Sequence, residues 1–200
     1  MRVAVSDLFR EATAGATAHL VTRETGAAVR AVIVERLQAL ERGGILNLDF
    51  TGVGIIDFSC ADECLAKLVL RLNAGEYGDK YLCLSGLGES QRENIQVALE
   101  RKKLPALLLG AGSSWECLGT LTPHLRETLR LVAERSGMSA RDLADLLGLE
   151  LTAASTRLIN LHRHRLVRRR ERPMGEGGRE FVYEALHQSP GLVAGGAADG

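Results

Sequence analysis

The sequence predicts an α/β domain, a mixed sheet with helices against it, followed by a small α+β domain of short helices and a two-stranded ribbon. Three observations carry this expectation. Over the first 110 residues short apolar runs alternate with amphipathic stretches at helical spacing, the order that lays helices on a sheet. From Thr122 onward the pattern changes to brief helical repeats punctuated by Gly137 and Gly148, then to strand-like residues around Arg168–Arg172 and Arg179–Glu184. Between the two lies Gly110-Ala111-Gly112-Ser113-Ser114, a loop composition. With 200 residues and 46% hydrophobic content the chain can bury a core in one large or two small domains, and the change of pattern favours two. The expected division is an α/β domain over 1–110, a linker over 111–120, a second domain over 121–188 and a disordered, Gly- and Ala-rich tail over 189–200.

In the first domain Arg2–Val5 and Ala18–Thr22 read as short strands. Residues 25–41 place Ala28, Val32, Leu37 and Leu40, joined by Val29, Ile33 and Val34, on a helix that Gly43-Gly44 stops. Ile45–Phe50 is a buried strand. Ser59 then stands where an N-cap would open a helix running to about Leu72, with Asp62 and Glu63 in the first turn as the helix dipole favours. Lys80–Leu84 is strand-like, Ser90–Lys103 is a helix with Ile95 and Leu99 inward, and Leu104–Leu109 is a last apolar strand. Gly110-Ala111-Gly112 lacks the helix and glycine spacing of a phosphate-cradling loop, so it and the bridge Trp115–Gly119 read as linker.

In the second domain Thr122-Pro123 pairs an N-cap with proline at the first helical position, opening a helix to Ser136 that Gly137 ends. Ser139 caps Ala140–Leu147, and Gly148 stops that helix. A further helix over Leu151–His164 places Ala154, Leu158 and Leu161 on one face. Its other face carries Thr152, Ser155, Thr156, Asn160 and Arg163, with Arg157 beside them. Small polar side chains and guanidiniums on an exposed helix are suited to base edges in a major groove. Leu166-Val167 opens a strand bearing Arg168, Arg169, Arg170 and Arg172; Pro173–Gly178 is a turn; Arg179–Glu184 returns as a second strand. Helix, turn, helix and ribbon in this order make a winged helix.

The net charge of zero hides a local concentration. Residues 1–118 hold 13 basic against 15 acidic side chains and residues 119–200 hold 12 against 10, but Arg157–Arg172 contains seven arginines and one acid, Glu171. Such a stripe suits a phosphate backbone. Cys60, Cys64, Cys83 and Cys117 lack paired metal spacing and read as reduced, buried thiols of a cytoplasmic protein. Cys60 and Cys64 fall four apart on one helix face, where core packing outweighs a metal or redox role. No apolar run approaches the ~20 residues of a membrane span, and no export signal opens the chain. HExxH, GxSxG and P-loop patterns are missing, and His162 and His164 lie two apart and cannot share a metal, so catalytic residues, metal and cofactors are not expected.

Leu143-Ala144-Asp145-Leu146-Leu147-Gly148-Leu149, Arg157-Leu158, Leu166-Val167-Arg168-Arg169 and Phe181-Val182-Tyr183 resemble the MarR/ArsR-type winged helix-turn-helix of bacterial transcription regulators. The resemblance covers the last third of the chain. It implies binding to double-stranded DNA through Thr152, Ser155, Thr156, Arg157, Asn160 and Arg163, with Arg168, Arg169, Arg170, Arg172 and Arg179 on the wing, as a homodimer on paired half-sites. Here Glu150 replaces the usual Ser or Thr cap, and Arg165 replaces a Gly, which implies a non-glycine residue at positive φ. Leu121, Leu125, Leu129 and Val132 form a stripe that suits either the module's own core or the dimer contact. Upstream, Leu46–Val53 and Ile56-Asp57-Phe58-Ser59-Cys60-Ala61-Asp62-Glu63 resemble STAS-like domains related to anti-sigma-factor antagonists, over roughly the first 110 residues. In the antagonists a Ser at the position of Ser59, two after an Asp matched by Asp57, is phosphorylated by a partner kinase; Phe58 and Cys60 depart from that pattern. Ser59 and Asp57 are therefore regulatory candidates, with a plain helix cap as the other reading of Ser59. The resemblances together imply a DNA-binding transcriptional regulator with a sensing STAS-like domain. The alternative is a partner-switching protein in which both domains bind proteins, one of them an anti-sigma-type kinase.

Overall fold

A computed structural model describes residues 1–13, 22–135, 137–173 and 178–188. The expected strand at 18–22 and the turn at 173–178 fall largely outside these residues, and Ser136 and the tail 189–200 wholly so. Strand β1 (Arg2–Ala4) passes straight into helix α1 (Val5–Thr13), so Val5, expected in the strand, begins a helix. The reason is spacing: Val5, Leu8 and Phe9 recur at helical intervals and are all buried. Helix α2 (Arg23–Gln38) starts earlier than expected because Thr22 caps it, its hydroxyl accepting from the Thr25 amide.

Strand β2 (Ile45–Asp49) leads to a continuous helical stretch of α3 (Phe58–Ala61), a π-helical turn (Asp62–Ala66) and α4 (Lys67–Asn73). Its cap is Asp57, whose carboxylate accepts from the Cys60 amide at 2.7 Å, and not Ser59, which sits at the second helical position. A carboxylate one peptide before the first turn reaches the free N–H groups and adds its charge to the dipole. Strand β3 (Tyr81–Ser85), helix α5 (Glu89–Arg101) and strand β4 (Pro105–Leu109) follow as expected within a residue or two. Residues 115–119 of the expected linker form strand β5 (Trp115–Gly119), antiparallel to β4 with Cys117 opposite Leu107. Glycine is needed at its end: Gly119 has φ of 74°, and a Cβ there would lie 2.0 Å from the Leu104 carbonyl oxygen.

The five strands order as β1-β2-β3-β4-β5, the first four parallel, making a mixed sheet in an α/β protein. Successive side chains point to opposite faces, and both faces are covered, which is why the strands read as continuous apolar runs. Leu46, Leu48, Leu82 and Leu84 face a core with Val29, Ile33, Leu65, Leu68, Ile95 and Leu99 from the upstream helices. Ile45, Tyr81, Cys83, Leu107 and Cys117 face the other way.

That second face is closed by the C-terminal region. Helix α6 (Pro123–Ala133) lays Leu125, Leu129 and Val132 in the same core as Tyr81 and Cys83, so the stripe that suited a dimer contact is consumed within the chain. A two-residue strand β6 (Met138–Ser139), helix α7 (Ala140–Leu147), helix α8 (Leu151–Arg163), and strands β7 (Val167–Pro173) and β8 (Arg179–Ala185) complete the region. Their sheet orders β6-β8-β7, all antiparallel. Among the described residues no helix is long and apolar enough to cross a membrane.

Candidate nucleic-acid interface

Helix α7 is fixed at both ends by local chemistry. The Ser139 hydroxyl accepts from the Asp142 amide at 3.2 Å while the Asp142 carboxylate accepts from the Ser139 amide at 2.8 Å, a reciprocal capping box. The Ser139 amide, more than any other cause, holds the Asp142 carboxyl below its usual range. Gly148, left-handed at φ 61°, stops the helix, and Leu149 donates back to the Ala144 carbonyl. The chain then enters α8 through Glu150, whose side chain makes no capping hydrogen bond.

Ala154, Leu158 and Leu161 bury one side of α8 completely. Thr152, Thr156 and Arg163 are exposed on the other, with Ser155 and Asn160 half-buried. The Thr156 hydroxyl donates to the Thr152 carbonyl at 2.8 Å, leaving its oxygen lone pairs as acceptors for an amino group on a base. Arg157 behaves differently: its guanidinium turns back onto α6 to meet Glu127 at 3.3 Å and is only 21% exposed. It braces α8 against α6.

The ribbon is as basic as its sequence, yet its charges are partnered across the strands. Arg168 lies 3.5 Å and Arg170 3.1 Å from Glu184, Arg172 pairs with Glu180, and Arg179 lies 3.3 Å from Glu171. Antiparallel register explains this, since Arg168 stands opposite Glu184 and Arg172 opposite Glu180. Arg169 instead stacks over Phe181, its guanidinium carbon 4.3 Å from the ring centre. Among the described residues, Arg163 and Arg169 are the positions of the predicted set whose guanidiniums have no acidic partner.

Arg165 has φ of 57°, the left-handed conformation that the missing glycine implied. Its side chain donates to Asp79 at 3.1 Å and to the Leu72 carbonyl at 3.4 Å and lies over the Tyr81 ring. It therefore ties the turn after α8 to the first sheet. Beside it, His162 Nδ1 lies between the Tyr81 hydroxyl at 3.4 Å and the Val167 carbonyl at 3.3 Å. Burial above all lowers the pKa of His162, while burial and the Asp79 carboxylate raise that of the Tyr81 phenol. Sequence reasoning missed this joint, although an arginine where glycine belongs was a signal for it.

The second predicted site keeps its residues together but changes their roles. Asp57 is the cap, Ser59 is half-buried in the first turn, and the adjacent π turn holds a buried Glu63 between Arg30, at 2.6 Å, and Lys67. Those hydrogen bonds, Lys67 first and Arg30 next, hold the Glu63 carboxyl below its usual range. Cys60 lies just before this turn and Cys64 within it, both as buried thiols, and burial pushes the Cys60 thiol up to about 12. Asp62 is likewise taken by Lys102 at 2.8 Å. Among the described residues no cluster of His, Cys, Asp and Glu has the geometry to hold a metal ion. Comparison of the chain with family models, curated proteins and solved structures finds no match.

Proposed function

We propose that this chain is a DNA-binding transcriptional regulator in which α6–α8 and the β7–β8 ribbon act as a winged helix-turn-helix, and a STAS-like α/β part senses a partner, ligand or modification. The observation that carries the reading is the amino-terminal half of α8. Thr152 and Thr156 stand exposed there on a helix anchored by Ala154 and Leu158, beyond a glycine-stopped turn from α7. That is the end of the helix that meets base edges in helix-turn-helix proteins, and its small hydroxyls admit close approach. Arg163 and Arg169 supply the charge available for phosphates, while the paired ribbon arginines must exchange an acidic partner for a phosphate to contribute. Two copies related by a dyad would place two α8 helices on half-sites about 34 Å apart. Since the α6 stripe is buried within the chain, the dimer contact lies elsewhere.

Selection of a bound sequence from random duplexes by the full chain tests this. Enrichment of a pseudo-palindrome that Thr156→Ala degrades is the expected result, and failure to enrich any sequence would remove direct readout. A second reading has its own observation: Glu171, Glu180 and Glu184 take up most of the ribbon's charge, which favours a protein-binding ribbon in a partner-switching protein. Association with an anti-sigma-type kinase, without DNA affinity, would select it.

A further inference from the structure

A cleft of about 640 Å³ opens between the β7 edge of the ribbon and the start of β3, walled by the ribbon on one side and by Gly43, Asp79 and Tyr81 on the other. Five arginines line it, Arg42, Arg165, Arg168, Arg169 and Arg170, against two carboxylates, Asp79 and Glu171. The carboxylates are already engaged. Asp79 serves Arg165 at 3.1 Å, Arg42 at 3.6 Å and the Tyr81 hydroxyl at 2.8 Å, while Glu171 is held by Arg179. Arg168 and Arg170 share the single carboxylate of Glu184. A second observation is independent of the charge count: the Arg168 Nε is buried and has no hydrogen-bond acceptor, a costly state for a charged donor.

We propose that this cleft binds a compact polyanion of the di- or triphosphate class. Its volume lies within the ~300–1,000 Å³ typical of small-molecule sites. A di- or triphosphate is small enough to meet arginines of both walls at once. Planar guanidiniums from the two walls present paired N–H donors to phosphate oxygens. The ligand would join the ribbon to the first sheet at the joint that Arg165 makes.

Calorimetric titration of the full chain with inorganic pyrophosphate, free of DNA, tests the site apart from the DNA-binding reading. Saturable one-to-one binding is expected, weakened roughly ten-fold or more by Arg42→Ala and by Arg168→Gln, as the loss of a charge-assisted contact implies. Arg42 is 89% exposed, so its replacement leaves the fold intact. Arg163→Ala, on α8 outside the cleft, should leave pyrophosphate affinity unchanged. Absence of saturable binding by the native chain, or equal losses in Arg163→Ala and Arg42→Ala, would overturn the proposal.

Discussion

Two regions, the helix start after Asp57 in the α/β half and the β7–β8 ribbon in the C-terminal half, handle charge differently. Around the helix start the acids are held in largely buried contacts: Glu63 between Arg30 and Lys67, Asp62 with Lys102, Asp57 on the Cys60 amide. Towards the tip of the ribbon the pairs lie on an exposed surface, Arg172 with Glu180 and Arg179 with Glu171, where a solvated ion pair contributes about 0–1 kcal/mol and is easily exchanged. The lesson is that the same residue types serve shape at the helix start and remain available for exchange on the ribbon. Yet the halves share one apolar core, since α6 and α8 complete the second face of the first sheet.

Breaking that shared core should have the largest effect. Leu129→Ala removes a buried side chain between α6 and the sheet and should cost about 2–5 kcal/mol. Thermal melts should show one transition that moves as a unit in native and variant proteins; a variant in which only one of two transitions shifts would show that the halves unfold independently. Next in size, Thr156→Ala should cost about 1–3 kcal/mol on the best duplex and less on random duplex. Arg157→Ala, by contrast, should lower stability and weaken both duplexes alike, because its guanidinium meets Glu127.

Within the α/β half, Asp57→Ala should cost about 0.5–2 kcal/mol as a lost cap, whereas Ser59→Ala should stay within ~0.5 kcal/mol in the same denaturant titration. If Ser59 is modified, a phosphate there adds about −1.5 to −2 charge beside Asp57, Asp62 and Glu63. Mass spectrometry of protein from its native cell would detect it. A smaller contrast lies in the ribbon: Arg169→Ala should flatten the salt dependence of DNA binding by about one unit, and Arg172→Ala by less, since Arg172 has an acid to displace. The smallest effect is on pH. Burial lowers the pKa of His162, His164 and His187 in the folded chain, so the unfolded chain binds more protons as acid is added. The stability they confer is complete above an unfolded value of about 6.5 and declines as pH falls through it, which denaturant midpoints at successive pH values should follow.

Most elements were legible because their periods are clean: Leu46 and Leu48 alternate, Ala154, Leu158 and Leu161 repeat, and Gly148 stops a helix. Helix α1 was legible in principle from Val5, Leu8 and Phe9 but too short to outweigh the strand before it. Strand β5 was hidden because Gly110–Ser114 looks like the start of a linker, and its strand identity comes from pairing with β4. The cap at Asp57 displaced Ser59 because either side chain can serve and only the backbone decides where the helix starts. The candidate site was legible as residue types on α8 and the ribbon. Its electrostatics were not, since cross-strand register pairs Arg168 with Glu184 across 16 residues of sequence, and a tertiary contact brings Arg165 to Asp79 across 86.

The central claim, that the C-terminal region binds duplex DNA through α8 and available arginines, is tested most directly by anisotropy of a labelled duplex titrated with the full chain over a range of salt. Affinity should fall linearly on a log–log scale, with Arg163→Ala lowering the slope by about one unit. Absence of binding at low salt, or binding whose strength is indifferent to salt and to Arg163→Ala, would contradict it.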